Sequence, residues 1–257
     1  MGKSLSSDIA LLDKTNKSVL AHSGKQIRPV LCLLAARACS GGFVTEDTLL
    51  YASAVELLHN ATLLHDDVAD DSPMRRGVPT VMSLLGGRAS VLLGDYWLVK
   101  GMENILASAN SSAKVIRIFA ATLSDLAEGE LLQLQKADTG DTLEQDYYKI
   151  IYNKTSSLFV AAATSGAMSV GASEEKMKAV RTYAKCLGQA FQIKDDIFDY
   201  LDNQQTGKPA GLDLKERKIT LPLLGALKNV SEERAKEVRR MVCNIDDHPD
   251  YQKDIVS

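Results

Sequence analysis

Two short acidic motifs carry the residues with the clearest capacity for chemistry. Both have the pattern D-D-x-x-D, and their carboxylates are Asp66, Asp67, Asp70, Asp195, Asp196 and Asp199. On a helix, the first and second aspartates of such a motif share a face with the third, so like charges crowd together and repel. Apolar residues precede both motifs, and a lower local dielectric would strengthen that repulsion. The pattern therefore predicts that cations neutralise these side chains.

Carboxylate oxygens without histidine or cysteine partners favour Mg²⁺, which keeps some of its waters and commonly shares phosphate oxygens. A calcium-binding EF-hand would need a glycine-containing loop that neither motif has. A solvated acidic helix face is the simpler interpretation of either motif alone. The recurrence of the same spacing in two distant segments favours a pair of metal-binding motifs facing one cavity.

Several basic residues could neutralise a bound phosphate, and some of them follow an acidic motif closely in the sequence. They lie in the segment GKQIRP (24–29), at Arg75-Arg76, at Lys154, at Lys208 and between Lys215 and Lys218. The guanidinium group of arginine can donate two parallel hydrogen bonds to diphosphate oxygens, and the ammonium group of lysine makes a single charged contact. A solvent-exposed base is the simpler interpretation of each one alone. No phosphate-binding loop of the type G-x-x-x-x-G-K-[ST] occurs.

The elements that must position these residues are predicted to be helices. Six prolines punctuate the chain, and none lies between Thr80 and Lys208. Apolar residues recur with helical spacing, and alternating strand patterns are lacking. Helices are predicted over 45–65, 111–135, 173–201 and 230–243, with an internal one over 158–172. We expect an all-α, single-domain helical bundle of about eight to ten helices spanning residues 1–257.

Composition excludes several classes of protein. The 257 residues carry a net charge of −3, which argues against a nucleic-acid partner. No apolar run reaches the roughly 18 residues that span a bilayer, so stable membrane insertion is not expected. The four cysteines form no CxxC pair, and Cys32 and Cys186 are predicted to be buried thiols. These features predict a cytoplasmic protein in a reducing compartment.

The motifs taken together resemble the trans-isoprenyl diphosphate synthases, or polyprenyl synthases, especially the bacterial long-chain (octaprenyl-like) type. Seven blocks occur in the family's order: GKQIRP (24–29), ELLHNATLLHDDVADDSPMRRGVPT (56–80), GDYW (94–97), EGELLQL (128–134), IIYNKTSSLF (150–159), FQIKDDIFDY (191–200) and TGKPAGLDLKERKITLP (206–222). The resemblance implies the isoprenoid synthase fold, in which helices surround a deep central cavity. Relative to the family pattern, the chain is short at both ends.

The resemblance also implies roles for individual residues. Asp66, Asp70 and Asp195 correspond to direct Mg²⁺ ligands, with Asp67, Asp196 and Asp199 in direct or water-mediated support, for three ions in all. The site for the allylic diphosphate corresponds to Arg75, Lys154 and Lys208, with Lys218 near. The site for isopentenyl diphosphate corresponds to Lys25, Arg28, His59 and Arg76. Thr155 and Gln192 match polar residues that line the cavity, and a homodimer is the family expectation.

The implied reaction joins isopentenyl diphosphate to an allylic diphosphate through an allylic carbocation. In this family a bulky aromatic about five residues before the first motif stops growth at short products. Here that position is Ala61, with Thr62 beside it and Leu58 below, so a product longer than twenty carbons is predicted. Ordinary helix packing is the alternative interpretation of Ala61.

Four other functions stay open. The chain could be a short-chain synthase that makes farnesyl or geranylgeranyl diphosphate. It could be a terpene cyclase or head-to-head synthase, although those usually lack bases for a second diphosphate. It could be a non-catalytic subunit of a heteromeric synthase, although such subunits tend to lose an aspartate motif. A helical scaffold with acidic faces is the fourth.

Overall fold

Helices make up nearly all of the regular structure. The computed structural model describes residues 2–109, 112–201 and 211–256. Its α-helices are α1 Ala10–Ala21, α2 Ile27–Ser40, α3 Glu46–Ala69, α4 Val81–Leu85, α5 Gly87–Leu106, α6 Ala113–Thr139, α7 Glu144–Ile151, α8 Ser157–Ser169, α9 Glu174–Tyr200, α10 Leu212–Lys215, α11 Leu221–Leu227, α12 Glu232–Cys243 and α13 Tyr251–Val256. A 3-10 helix covers Gly2–Leu5, and a π-helical turn, here the π-turn, covers Tyr152–Ser156. The prediction of an all-α fold is confirmed for the described residues.

The predicted helix starts agree with the observed caps. Thr45 accepts a hydrogen bond from the Thr48 backbone N–H, and the Thr48 hydroxyl accepts one from the Thr45 backbone N–H. This reciprocal arrangement satisfies two backbone donors at the first turn of α3. Ser173 caps α9 by accepting from the Lys176 backbone N–H at 3.4 Å. Ser111, where a helix was predicted to begin, lies outside the described residues.

One prediction about burial is wrong. The internal helix is confirmed as α8, and Cys32 is buried as expected, but Cys186 is exposed. The buried positions near it on α9 are Ala184 and Gly188. Cys186 lies midway between them and therefore on the opposite face of the helix. All four cysteines are free thiols, in agreement with the predicted lack of disulfides.

The segment between α3 and α4 forms a short hairpin rather than an open loop. Strand β1, Met74–Arg75, pairs antiparallel with strand β2, Val78–Pro79. Arg76 and Gly77 at its turn have φ angles of +53° and +79°. Two consecutive positive φ values are the signature of the tight turn whose twist matches a two-stranded hairpin. The hairpin fixes the direction of the two arginines that follow the first acidic motif.

The chain divides into two compact units. The first comprises Met1–Ala120 and Leu158–Thr182, and the second comprises Ala121–Ser157 and Tyr183–Ser257. In the first unit, α3, α5 and the 3-10 helix share one hydrophobic core. This core includes Leu57, Leu64 and the fully buried Trp97. The core of the second unit draws on α7, α10, α11 and α12: Tyr147, Ile151, Leu214, Ile219, Leu223, Leu224, Val238, Val242 and Ile245. The first acidic motif belongs to the first unit, and the second motif to the second. The single domain stays a prediction.

Candidate active site

The first acidic motif lies where α3 ends. Asp67 is buried, and its carboxylate accepts a hydrogen bond of 2.6 Å from the Arg75 Nε on the hairpin. Asp66 is half-buried, and Asp70, the C-cap residue of the helix, is exposed. Asp67 is therefore committed to a protein partner, while Asp66 and Asp70 lie nearer the solvent.

Cations surround this end of α3. Burial lowers the pKa of Arg28 to about 10; buried Glu56 opposes that shift, and Arg76 adds to it. The pKa of His59 is lowered well below its usual 6.5, first by burial and then by the charges of Arg28, Arg76 and Arg75. His59 is therefore neutral near pH 7. Four of the predicted diphosphate-binding residues thus lie within electrostatic reach of one another.

Two of these arginines are held by contacts outside the motif. The Arg28 guanidinium lies 4.9 Å from the centre of the Phe159 ring, and its Nε is buried without a hydrogen-bond partner among the described residues. Arg76 donates to the backbone carbonyl of His22 at 2.8 Å. Lys25, predicted to assist them, is exposed just before α2. An unpaired, buried guanidinium N–H is a donor available to an anion.

A cavity of about 360 Å³ adjoins the Asp67–Arg75 pair. Its wall includes both of these residues, Arg76, and apolar side chains from α1, α3, the hairpin and α4. Arg28 and His59 are not part of that wall. Asp67 and Arg75 therefore line a partly open pocket that solvent reaches at Arg75.

The second motif lies near the end of α9 and is held by neutral partners. Asp196 is buried and accepts hydrogen bonds from the Tyr147 hydroxyl at 2.5 Å and from the Gln192 side-chain amide at 2.8 Å. Gln192 in turn accepts a bond of 2.7 Å from Thr155. Asp195 is exposed. A continuous chain of hydrogen bonds thus links the π-turn to the second motif.

Asp199 plays a different part from the other aspartates of its motif. Its two carboxylate oxygens accept bonds from the backbone N–H groups of Leu212 and Asp213, at 3.1 and 3.0 Å. These contacts tie the end of α9 to the start of α10. Burial, reinforced by the charges of Asp199 and Asp196, raises the pKa of Asp213 to about 7. Burial also raises the pKa of Asp196, where hydrogen bonds from Tyr147 and Gln192 oppose the shift and the charge of Asp195 adds to it.

The predicted lysines have mixed environments. Lys154, in the π-turn, forms an ion pair with Glu130 on α6. Lys218 pairs with Glu216. Lys208 lies outside the described residues. Lys154 and Lys218 are thus already neutralised by carboxylates of the same unit.

The predicted chain-length residues lie along α3 below the first motif. Ala61 and Leu58 are fully buried, and Thr62 is half-buried with its hydroxyl bonded to the His59 carbonyl. Ala61 packs in the cluster that contains Trp97. This packing shows that little room surrounds the Ala61 side chain on that face. Its role in product length stays a prediction.

Sequence reasoning missed several residues of the site. Glu56 is a fully buried carboxylate beside the arginines, and Tyr147 is the hydroxyl that binds Asp196. Asp213 and Glu130 were also missed. Glu56, Glu130 and Asp213 lie in blocks that agree with the family pattern, and that agreement was their only signal in the sequence. Tyr147 had none, because its contact with Asp196 joins residues far apart in the chain.

The carboxylates of each motif, taken separately, fit a metal that arrives together with an anionic ligand. Within residues 2–109, 112–201 and 211–256, no three His, Cys, Asp or Glu side chains converge closely enough to hold a metal ion. Asp67, Asp196 and Asp199 are occupied by protein donors. Asp66, Asp70 and Asp195 remain more accessible. These oxygens suit Mg²⁺, which fills its remaining positions with water and phosphate oxygens.

A family model described as polyprenyl synthetase matches residues 9–257. The chain belongs to the polyprenyl synthetase family. It is 39% identical over 239 residues to the octaprenyl diphosphate synthase of Escherichia coli strain K12, a match that covers 93% of this chain and 73% of that protein.

Two solved structures of polyprenyl synthetases show the same fold. A decaprenyl diphosphate synthase from Rhodobacter capsulatus has a TM-score of 0.89 and 34% identity, covering 99% of this chain and 78% of the other. A polyprenyl synthase from Caulobacter crescentus CB15, complexed with calcium and isoprenyl diphosphate, has a TM-score of 0.87 and 35% identity with the same coverage. The expected all-α isoprenoid synthase fold and the resemblance to long-chain bacterial synthases are confirmed. Among the described helices, none has both the length and the hydropathy needed to cross a bilayer.

Proposed function

We propose that this chain is an Mg²⁺-dependent prenyltransferase that condenses isopentenyl diphosphate with an allylic diphosphate. The product is a linear trans-polyprenyl diphosphate. The observation that carries the proposal is the contrast between the two acidic motifs: an arginine pairs with the buried aspartate of the first, whereas uncharged donors hold the buried aspartate of the second, near the buried carboxyl of Asp213. A polyprenyl synthetase that must hold two diphosphates and their metal ions needs both environments.

The first unit supplies the cations for isopentenyl diphosphate. Arg28, with a free buried N–H, and Arg76 from the hairpin offer guanidinium donors, and Lys25 adds charge at the start of α2. His59 is neutral and donates one N–H without adding to the repulsion between the arginines. Closely placed guanidinium groups are stabilised when an anion binds between them.

The allylic diphosphate engages a second set of bases, Arg75, Lys154, Lys208 and Lys218. Each base of this set that the structure describes is paired with a carboxylate. Arg75 pairs with Asp67, Lys154 with Glu130, and Lys218 with Glu216. A diphosphate carries more negative charge than any one of these carboxylates and can share the bases with them. The pairs therefore keep the cations in place before the substrate arrives.

Mg²⁺ would be held by Asp66, Asp70 and Asp195, with support from Asp67, Asp196 and Asp199. Three ions, when bound, supply Lewis-acid stabilisation to the departing diphosphate. The bases hold that diphosphate as the allylic C–O bond breaks and its electron pair leaves with the oxygen. The isopentenyl double bond then forms the new C–C bond, and a proton passes to the released diphosphate. Thr155 and Gln192 offer dipoles, not charges, to the intermediate cation.

The product is proposed to exceed twenty carbons. The relatives named above are octaprenyl and decaprenyl synthases, and Ala61 presents no bulky group below the first motif. Replacing Ala61 by Phe is expected to shorten the products, with a stability cost of about 1–3 kcal/mol because the site is fully buried. A folded Ala61→Phe variant with unchanged product lengths would remove this part of the proposal.

The active form is proposed to be a cytoplasmic homodimer. The exposed apolar side chains of α5, among them Leu92, Val99 and Leu106, offer a face that a second copy could cover. Light scattering coupled to size exclusion measures the mass directly. A purified chain that stays monomeric at micromolar concentration and is fully active would contradict the dimer.

The test is incubation with Mg²⁺, isopentenyl diphosphate and, separately, dimethylallyl, geranyl, farnesyl and geranylgeranyl diphosphates. Elongated linear diphosphates support the proposal. Cyclic hydrocarbons would indicate a cyclase instead, and no turnover by folded protein would indicate a non-catalytic subunit. Mass spectrometry of the products reports both the activity and the chain length.

A further inference from the structure

The block EGELLQL, residues 128–134, has no role in the proposed reaction. It lies on α6, and two of its residues touch the π-turn of the same unit. A π-helical turn inside a helical segment is uncommon and is often found at functional sites. Here the turn carries Lys154 and Thr155, so its placement determines where both side chains lie.

Gly129 allows α6 to approach the π-turn closely. A Cβ atom added at Gly129 would lie 2.7 Å from the Asn153 Cβ, 2.9 Å from the Lys154 Cγ and 3.0 Å from the Lys154 backbone nitrogen. The last contact is with backbone, which a rotamer change cannot relieve. Any larger residue at position 129 must therefore displace the π-turn itself.

Glu130 holds the side chain of the same lysine. Its carboxylate pairs with the Lys154 ammonium, and both side chains are about three-quarters buried, at 28% and 25% exposure. The next residue of the turn, Thr155, is fixed separately by its bond to Gln192. On the other side, a Cβ at Gly188 of α9 would lie 2.7 Å from the Ser156 Cα. The turn is thus confined by α6 and α9, and only the Lys154 side chain depends on Glu130.

We propose that Gly129 and Glu130 are positioning residues for Lys154: the glycine sets the backbone of the π-turn and the glutamate sets the ammonium group. This inference rests on the proposed role of Lys154 in binding the allylic diphosphate. It differs from a purely electrostatic view, in which Glu130 competes with the diphosphate and its removal would tighten binding. If Glu130 positions the ammonium, its removal weakens binding.

The test compares four variants by steady-state kinetics with Mg²⁺ and both substrates. Glu130→Ala is expected to raise the KM for the allylic diphosphate about tenfold. A change of this size corresponds to the loss of one charged hydrogen bond between Lys154 and the substrate. Glu130→Gln keeps an oxygen that accepts from the ammonium, so its allylic KM should return to within about threefold of the wild type. The KM for isopentenyl diphosphate should change by less than about twofold in both, because Lys154 is not among the residues proposed to bind it.

The glycine is tested against a matched control. Gly129→Ala is expected to lower kcat about tenfold or more, because shifts of about 1 Å in a positioned group can cost up to 100-fold. Gly225→Ala on α11 is the control, since a Cβ there meets no atom within 4 Å. That variant should keep wild-type kinetics and melt at the same or a higher temperature. Circular dichroism confirms that each variant is folded.

Three results would overturn the inference: a Glu130→Ala variant that binds the allylic substrate as well as or better than the wild type, equal rises in both KM values, or a folded Gly129→Ala variant with wild-type kcat. If Gly129→Ala does not fold, the two Glu130 variants decide alone. Failure of the proposed function is distinct, because the wild type itself would then show no elongation. In that case, binding of allylic thiodiphosphate, measured by calorimetry with the same Glu130 variants, decides the inference, and equal affinities would overturn it.

Discussion

The two acidic motifs have the same spacing but opposite surroundings. At the first, burial and then the charges of nearby arginines lower the pKa of His59, and Arg75 pairs with Asp67. At the second, burial and then the charges of neighbouring carboxylates raise the pKa values of Asp196 and Asp213. In each motif the middle aspartate is buried and bonded, but its partner is charged in one case and neutral in the other. The first environment favours anions, and the second favours cations.

The largest expected effect concerns the exposed aspartate of the second motif. Asp195→Asn should lower kcat by about 100-fold or more if it binds a catalytic metal ion. Without Mg²⁺ the same change should leave stability unchanged or slightly higher, because it removes a charge that repels Asp196. Asp66→Asn should lose comparable activity. The exposed Asp247→Asn is the control, and equal activities across all three would refute the metal assignment.

Removal of the neutral donor at the second motif should cost more stability than removal of the buried charge at the first. Tyr147→Phe leaves buried Asp196 short of a donor and should reduce the free energy of unfolding by about 1–3 kcal/mol. Asp67→Asn should cost about 1 kcal/mol, because the Arg75 side chain is one-third exposed and can be hydrated. Urea unfolding at 0.1 and 1 M NaCl separates the two. Only the stability loss of Asp67→Asn should shrink at high salt, because salt screens the ion pair with Arg75. A stability loss of Tyr147→Phe that also depends on salt would contradict the difference between the two motifs.

A smaller effect is expected from His59. Its folded pKa lies below 6.5, so the unfolded chain takes up a proton more readily than the folded one. The stability contribution is complete above pH 6.5 and falls as the pH drops through and below that value, by at most about 1.4 kcal/mol per pH unit. In the substrate-free protein, His59→Gln should flatten the fall in the free energy of unfolding below pH 6.5. Parallel profiles for the two proteins would show that neither burial nor the arginines lower the pKa of His59.

The sequence predicts local features of this molecule well and contacts between distant residues poorly. Thr45 and Ser173 were recognisable helix starts because a cap depends on residues within one turn. The hairpin turn at Arg76-Gly77 was not predicted, because its strands have only two residues each. The burial of Cys186 was misjudged because a helix face is defined only once its neighbours are placed.

The acidic motifs and the bases were identifiable from residue type and spacing. Their partners were not, because Tyr147 meets Asp196 and Glu130 meets Lys154 only through folding. The π-turn has no pattern of its own in the sequence, and its close packing against Gly129 and Gly188 becomes visible only in the fold. Family resemblance marked the block containing Gly129 and Glu130, but only the packing indicates what the block does.

The most direct measurement is product analysis of the purified, folded chain after incubation with isopentenyl diphosphate and farnesyl diphosphate, with and without Mg²⁺. The account predicts a ladder of linear diphosphates, each longer by one five-carbon unit, that extends beyond twenty carbons, together with released inorganic diphosphate. It also predicts that chelating the metal abolishes the ladder. Unaltered farnesyl diphosphate in the presence of Mg²⁺, or elongation that persists in excess chelator, would contradict it.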